Sequence, residues 1–180
     1  GEGAPAAPVA GEFIPGDVPA QSGTMDAMVA PVNALVMCMV EQGLAYNDQD
    51  DVFLWNSLYY MLSLYGQMDE RAEFTDDTLI LPSEMVRDYA AALYPQVEQL
   101  PGIPSPISQR IRYQASDDSY HLARGDEGLA EVVLQTPITL ASGAVILTGQ
   151  LNALEDGSVL RDFQVTLSPR DSMFGYVITD

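Results

Sequence analysis

Lysine is absent from this 180-residue chain, and seven arginines are its only permanently cationic side chains. Against them stand 26 aspartates and glutamates, which give a formal net charge of −19. Nucleic-acid binding needs cationic side chains that neutralise phosphates, and docking on anionic lipid by surface charge needs them as well. We therefore expect no nucleic-acid partner and no membrane insertion by this domain.

Cysteine and histidine occur once each, as Cys38 and His121. One cysteine forms no intramolecular disulfide, and one cysteine with one histidine makes no zinc site without carboxylates. Cys38 lies in the apolar run VMCMV with no cation close in sequence, so we interpret it as a core residue and not as a reactive thiol. We recognise no catalytic pairing and expect no catalytic residue, metal or cofactor.

The N-terminal segment is rich in Gly, Pro and Ala, a composition typical of a linker. We assign residues 1–23 to this linker and residues 24–180 to a single domain. Phe13 and Ile14 are the bulky apolar pair of the linker, and we expect part of this segment to be held by packing. No signal-peptide pattern is recognised, and the apolar run 28–40 is too short to span a bilayer.

Three helices are predicted in the first half of the chain. The first is capped at Thr24 and runs to about Gln42, and the second is capped at Asp50 or Asp51 and runs through residue 65. The third covers residues 83–94. The second segment, DVFLWNSLYYMLSLYG, is apolar on nearly every side. Such a helix is sandwiched in the core or forms part of a subunit interface.

From Ser108 onward the apolar residues recur with a period of two, which predicts β-strands. A hairpin over residues 109–123 is expected to pair Tyr113 with Tyr120, Ile111 with Leu122, and Arg112 with His121. Further strands are predicted at 131–140, 144–153, 159–167 and 174–178. The order predicts an α+β fold in which N-terminal helices precede an antiparallel meander that packs on a helical layer, as in cystatin-like or NTF2-like folds.

Three stretches together resemble small uncharacterised exported proteins and lipoproteins of gut Firmicutes. They are NDQDDVFLWNSLYYMLSLYG, LPSEMVRDYAAALYP and SMFGYVITD. The resemblance covers roughly residues 30–180 and carries no known activity, so it assigns no catalytic residue. It implies export, and either secretion or a location at the cell surface with a lipid anchor upstream of residue 1.

Two groups of side chains are candidates for ligand binding. Six of the fifteen aromatic residues lie between positions 46 and 65. Among them Trp55, Tyr59 and Tyr60 combine a large apolar surface with a polar group, and we interpret them as core or as the wall of a pocket. On the predicted hairpin, Arg110, Arg112 and His121 share one face. They form either an anion site or an ordinary exposed sheet face.

Acidic residues cluster in two places, at positions 48–51 and 69–77. Such clusters offer oxygen ligands for calcium, but neither has the spacing of an EF-hand loop. We interpret them as helix caps and a solvated rim. Paired carboxylates of a glycosidase are a further alternative, weakened by the abundance of acids in this chain.

Three functions follow from these observations. The first is a non-enzymatic, extracytoplasmic domain that binds a protein, a glycan or a small molecule. The second is a structural protein that self-associates, with a homodimer formed through the surplus apolar face of its helices. The third is an unrecognised enzyme, which would need a pocket with convergent polar groups and perturbed pKa values.

Overall fold

A computed structural model describes residues 18–19, 26–95, 98–123 and 130–180. Within these ranges the fold is α+β, with helices and antiparallel sheets, which confirms the predicted class. Val18–Pro19 forms a short strand against Ile138–Thr139, so this part of the linker is held by pairing. The rest of the linker, with Phe13 and Ile14, and the predicted cap at Thr24 lie outside the described residues.

The three helices lie close to their predicted positions: α1 covers Val29–Gln42, α2 covers Asp51–Tyr65 and α3 covers Ser83–Leu93. Asp50 caps α2, because its Oδ1 accepts a hydrogen bond from the Val52 amide at 3.0 Å. Gly66 does not end α2 in a left-handed conformation, as its φ is −63°. The chain instead tightens there into a 3-10 turn over Gly66–Met68.

Ten strands are described, and they divide over two sheets instead of forming one meander. Their bounds are β1 Val18–Pro19, β2 Glu73–Thr75, β3 Thr78–Pro82, β4 Ile111–Gln114, β5 Ser119–Ala123, β6 Ala130–Leu134, β7 Ile138–Thr139, β8 Val145–Ala153, β9 Val159–Pro169 and β10 Tyr176–Ile178. The larger sheet has the order β1-β7-β8-β9-β10, and β6 also pairs with β8. The smaller sheet has the order β2-β3-β5-β4.

The predicted β4–β5 hairpin forms in the predicted register, with Tyr113 opposite Tyr120 and Arg112 opposite His121. The strand predicted at 131–140 is interrupted before Pro137, which lacks an amide hydrogen for the ladder. Its two halves, β6 and β7, both pair with β8, but the register slips by one residue between them.

The core lies where the helices meet both sheets. α1 packs on β6, β8 and β9 of the larger sheet, while α3 packs on β3, β5 and β10. α2 lies against both other helices, and its residues Phe53, Trp55, Leu58, Met61 and Leu62 are at most 1% exposed. The apolar character of α2 is therefore explained by burial within the chain. Self-association stays a prediction, but the buried apolar residues of α2 do not provide the exposed face on which it was based.

Candidate functional site

A groove of about 730 Å³ opens beside the β4–β5 hairpin. Its walls are the hairpin, the first turns of α3, and the irregular segment 98–103, which runs opposite the hairpin. A cleft of this volume is in the usual range for ligand sites in proteins. The groove is therefore the first place to look for a function, and the residues that build it decide what it holds.

Three aromatic rings in mutual contact, tilted against one another, connect the hydrophobic core to the groove. Trp55 of α2 is 0% exposed, and its ring centroid lies 5.5 Å from that of Tyr120. Tyr120 is 7% exposed, and its ring lies 5.1 Å from that of Tyr113, which is 47% exposed. We call these three residues the aromatic ladder. It presents a rigid aromatic surface to the groove and fixes that surface to the core.

The opposite wall is tied to the same ladder. The Trp55 indole Nε1 donates a hydrogen bond to the carbonyl oxygen of Pro101 at 3.2 Å. Leu100 and Ile103, on either side, are partly buried and pack against the core cluster. The segment 98–103 has no regular secondary structure, so these contacts are what hold it at its distance from the hairpin.

Two arginines and two carboxylates line the groove. Arg87 of α3 donates to Ser83 Oγ at 3.2 Å, and Arg112 of β4 donates to Gln114 Oε1 at 2.5 Å. Of the carboxylates, Asp118 accepts a hydrogen bond from the Tyr113 hydroxyl at 2.7 Å. Glu98 is exposed on the opposite wall. The groove thus offers charges of both signs next to aromatic rings.

The pKa values of Asp118, Tyr113 and Tyr120 move away from neutrality. The hydrogen bond from Tyr113, followed by that from Ser83, holds the pKa of Asp118 below its usual range. The same contact raises the pKa of Tyr113, and burial raises the pKa of Tyr120. Near neutral pH the carboxylate is therefore charged and both phenols stay protonated. Fixed charges and fixed donors suit recognition better than proton transfer.

The aromatic residues predicted as ligand contacts lie under the surface or away from the groove. Trp55 supports the groove from below, and its burial leaves it no surface for direct contact with a ligand. Tyr59 is 4% exposed, and its hydroxyl donates to the Ala123 carbonyl at 3.0 Å. Tyr60 donates to Glu41 Oε1 at 2.6 Å on another face of α2. None of the three lines the groove, and the burial of Trp55 and Tyr59 agrees with the alternative that these residues belong to the core.

The predicted cationic group is only partly brought together. Arg112 and His121 face each other across the hairpin, with Arg112 Nη2 at 3.5 Å from His121 Nδ1. The His121 side chain is 16% exposed, and its Nε2 lies 3.8 Å from Asp117 Oδ2. Arg110 instead lies over the ring of Tyr59, at 5.5 Å from its centroid. Of the three, Arg112 alone lines the groove.

Cys38, Asp50 and Asp69 make contacts that stabilise the fold. Cys38 is 0% exposed, and burial raises the pKa of its thiol to about 12, in keeping with a core residue. Asp50 serves as a helix cap, and Asp69 pairs with Arg71 at 3.0 Å. In the ranges that the structure describes, no three acidic, histidine or cysteine side chains converge as metal ligands would.

A second, smaller pocket of about 310 Å³ lies between α1 and β9. Four apolar side chains of α1 line it together with residues 161–165 of β9, which include Arg161 and Asp162. None of the helices in the described ranges has the length and apolarity that crossing a bilayer requires.

Sequence reasoning missed Arg87, Asp118 and the segment 98–103 as parts of a site. The predicted hairpin register put Tyr113 and Tyr120 on the same face of the hairpin. It did not predict which other segment of the chain lies next to that face. The loop LPGIPSP, rich in proline between ordered elements, is the one sequence signal for a wall of fixed shape.

No family model, no curated protein and no solved structure matches this chain. The function is therefore argued from the geometry of the groove, and the resemblance to exported proteins of gut Firmicutes stays an expectation.

Proposed function

We propose that this chain is a non-enzymatic, extracytoplasmic domain that binds a ligand or partner in the groove beside the β4–β5 hairpin. The observation that carries the proposal is the aromatic ladder, which presents Tyr113 at the surface and anchors it through Tyr120 to Trp55. Exposed aromatic side chains on a rigid support give contact area at little conformational cost.

Two further features support a binding role. The shifted pKa values of Tyr113 and Asp118 keep each in one protonation state around neutral pH, as expected for hydrogen-bonding and charge recognition. The location outside the cytoplasm is supported by the resemblance to exported proteins and by the Pro- and Gly-rich segment before the domain.

The chain contains its own reporter for this proposal. Trp55 is the single tryptophan, and it contacts one groove wall through Tyr120 and the other through the Pro101 carbonyl. A ligand that seats in the groove is expected to change the Trp55 emission. The measurement is a fluorescence titration with panels of peptides, oligosaccharides and small organic acids, with native mass spectrometry to identify retained ligands and dimers.

Two tyrosine variants locate the response. Tyr113→Ala removes the exposed end of the ladder and is expected to abolish the titration without unfolding the domain. Tyr60→Ala is the matched control, because Tyr60 is a partly buried tyrosine outside the groove. A ligand whose binding is lost with Tyr60→Ala and kept with Tyr113→Ala would move the site to α2 and refute the groove.

A further inference from the structure

β4 is an edge strand of the smaller sheet, and no strand among the described residues pairs with its outer side. The Ala123 amide donates to the Arg110 carbonyl at 2.8 Å, which makes this pair a hydrogen-bonded one. Hydrogen-bonded and non-hydrogen-bonded residue pairs alternate along an antiparallel ladder. The backbone groups of Arg112 and Gln114 therefore also bond to β5. The amide and carbonyl groups of Ile111 and Tyr113 therefore point away from β5. In the described part of the chain they have no backbone partner.

The groove runs along this open edge. Ile111, Arg112 and Tyr113 line it from β4, and the segment 98–103 faces them without pairing with them. Two residues with outward backbone groups offer two donors and two acceptors in a row. An extended segment of about four to six residues satisfies such a row, because alternate residues of a strand share one hydrogen-bonding edge.

Two arginines of the groove can pair with an acidic partner, although Asp118 and Glu98 also line it. Arg71, elsewhere in the fold, pairs with Asp69 and Asp88. Arg87 and Arg112 make no ion pair with any described carboxylate, although acids outnumber arginines 26 to 7 in the chain. Other described arginines also lack a salt bridge to a described carboxylate. Arg87 and Arg112 differ from them in lining the groove, where their guanidinium groups can meet carboxylates from outside.

We propose that the groove takes an extended acidic peptide, which adds to β4 as a further strand and places carboxylates against Arg112 and Arg87. This inference rests on the binding function proposed above and names its ligand class. Strand addition explains the open backbone edge, and side-chain recognition explains the unpaired arginines. A peptide backbone supplies alternating donors and acceptors at the spacing of β4, which an oligosaccharide does not.

The test uses two pools of blocked hexapeptides. In the first pool pairs of adjacent glutamates are separated by Val, Ile, Thr or Tyr, so that carboxylates point to both faces of the added strand, and in the second pool glutamine replaces each glutamate. Binding is followed by Trp55 emission and by amide hydrogen exchange of the full chain. The glutamate pool is expected to protect the Ile111 and Tyr113 amides, while Arg112 and Gln114, already bonded to β5, change little.

Charge recognition is tested with matched arginine variants. Arg112→Gln is expected to weaken binding of the glutamate pool about tenfold, since a hydrogen bond to a charged group is lost. Arg161→Gln removes the same charge from an exposed position on β9, outside the groove, and is expected to leave binding unchanged.

Three outcomes would overturn the peptide inference. Equal binding of both pools would remove the acidic preference. A Trp55 response without protection of the Ile111 and Tyr113 amides would remove strand addition but keep the groove as a binding site. No response to either pool at about 1 mM, where binding free energies are only about 4 kcal/mol, would remove a peptide ligand altogether. A response to oligogalacturonate would then assign the groove to acidic sugars.

Discussion

Arg170 provides the sharpest test of how the fold holds its layers together. It follows β9, and its guanidinium donates to three carbonyl oxygens at the end of α3. The bonds run from Nη1 to Ala91 and Tyr94 at 2.8 Å each, and from Nη2 to Pro95 at 2.5 Å. These carbonyls are at the end of the helix, where no intrahelical donor remains for them. The positive charge also faces the negative end of the helix dipole.

Replacing Arg170 with methionine keeps much of the apolar volume and removes all three donors. A hydrogen bond to a charged group contributes about 1.5 to 3 kcal/mol, and a cation at a helix C-terminus adds about 0.3 to 1 kcal/mol. The three bonds share one side chain and one partly exposed site, so their contributions do not add in full. We expect Arg170→Met to lower the free energy of unfolding by about 2 to 4 kcal/mol.

The assay is urea unfolding followed by Trp55 fluorescence and by circular dichroism, with equal m-values required for the comparison. Arg161→Met is the control, since Arg161 is exposed on β9 and its loss changes the net charge equally. It is expected to change stability by at most about 0.5 kcal/mol. If Arg170→Met costs no more than this control, water replaces the arginine at the end of α3 and our reasoning is wrong.

Three other results are expected. Gly149→Ala should cost about 1 to 3 kcal/mol in urea unfolding, because its Cβ would meet the Val133 carbonyl oxygen at 2.7 Å, whereas Gly102→Ala, with open space, should be neutral. Hydrogen bonds from Arg71 lower the pKa of Asp69, so their stabilisation is complete above the unfolded pKa of about 3.9 and is lost as the pH falls through the folded value. Asp69→Asn should therefore flatten the acid limb of stability against pH, and an unchanged limb would contradict this. A thiol reagent at about pH 8 should label Cys38 only as the chain unfolds in urea, because burial raises its pKa to about 12; labelling of the folded chain would contradict its burial.

Local patterns were sufficient for the elements that depend on near neighbours. The β4–β5 hairpin formed in the predicted register, because a polar turn joins two strands whose apolar residues alternate in phase. The cap at Asp50 could also be predicted, since a side-chain acceptor precedes an apolar helix. Both features depend on residues within a few positions of each other.

Contacts between distant segments could not be predicted in the same way. The β2–β3 hairpin was missed because Glu73–Thr75 has no buried residue and so no apolar alternation. The burial of Trp55 followed from its helix, but its partners Tyr120 and Pro101 did not. The spacing of apolar residues indicates which face of a helix or strand is buried, but it does not indicate which segment of the chain covers that face.

The aromatic ladder joins Trp55, which the composition singled out, to Tyr120 and Tyr113, which it did not. Its members differ in exposure, from 0% for Trp55 through 7% for Tyr120 to 47% for Tyr113. Burial makes Trp55 a determinant of stability, because it contacts the core on every side, while exposure leaves Tyr113 free to contact a ligand. The ring of Tyr120 packs between them and connects Tyr113 to the buried Trp55. A groove whose floor is continuous with the core is ordered before the ligand arrives, so binding there costs little conformational entropy.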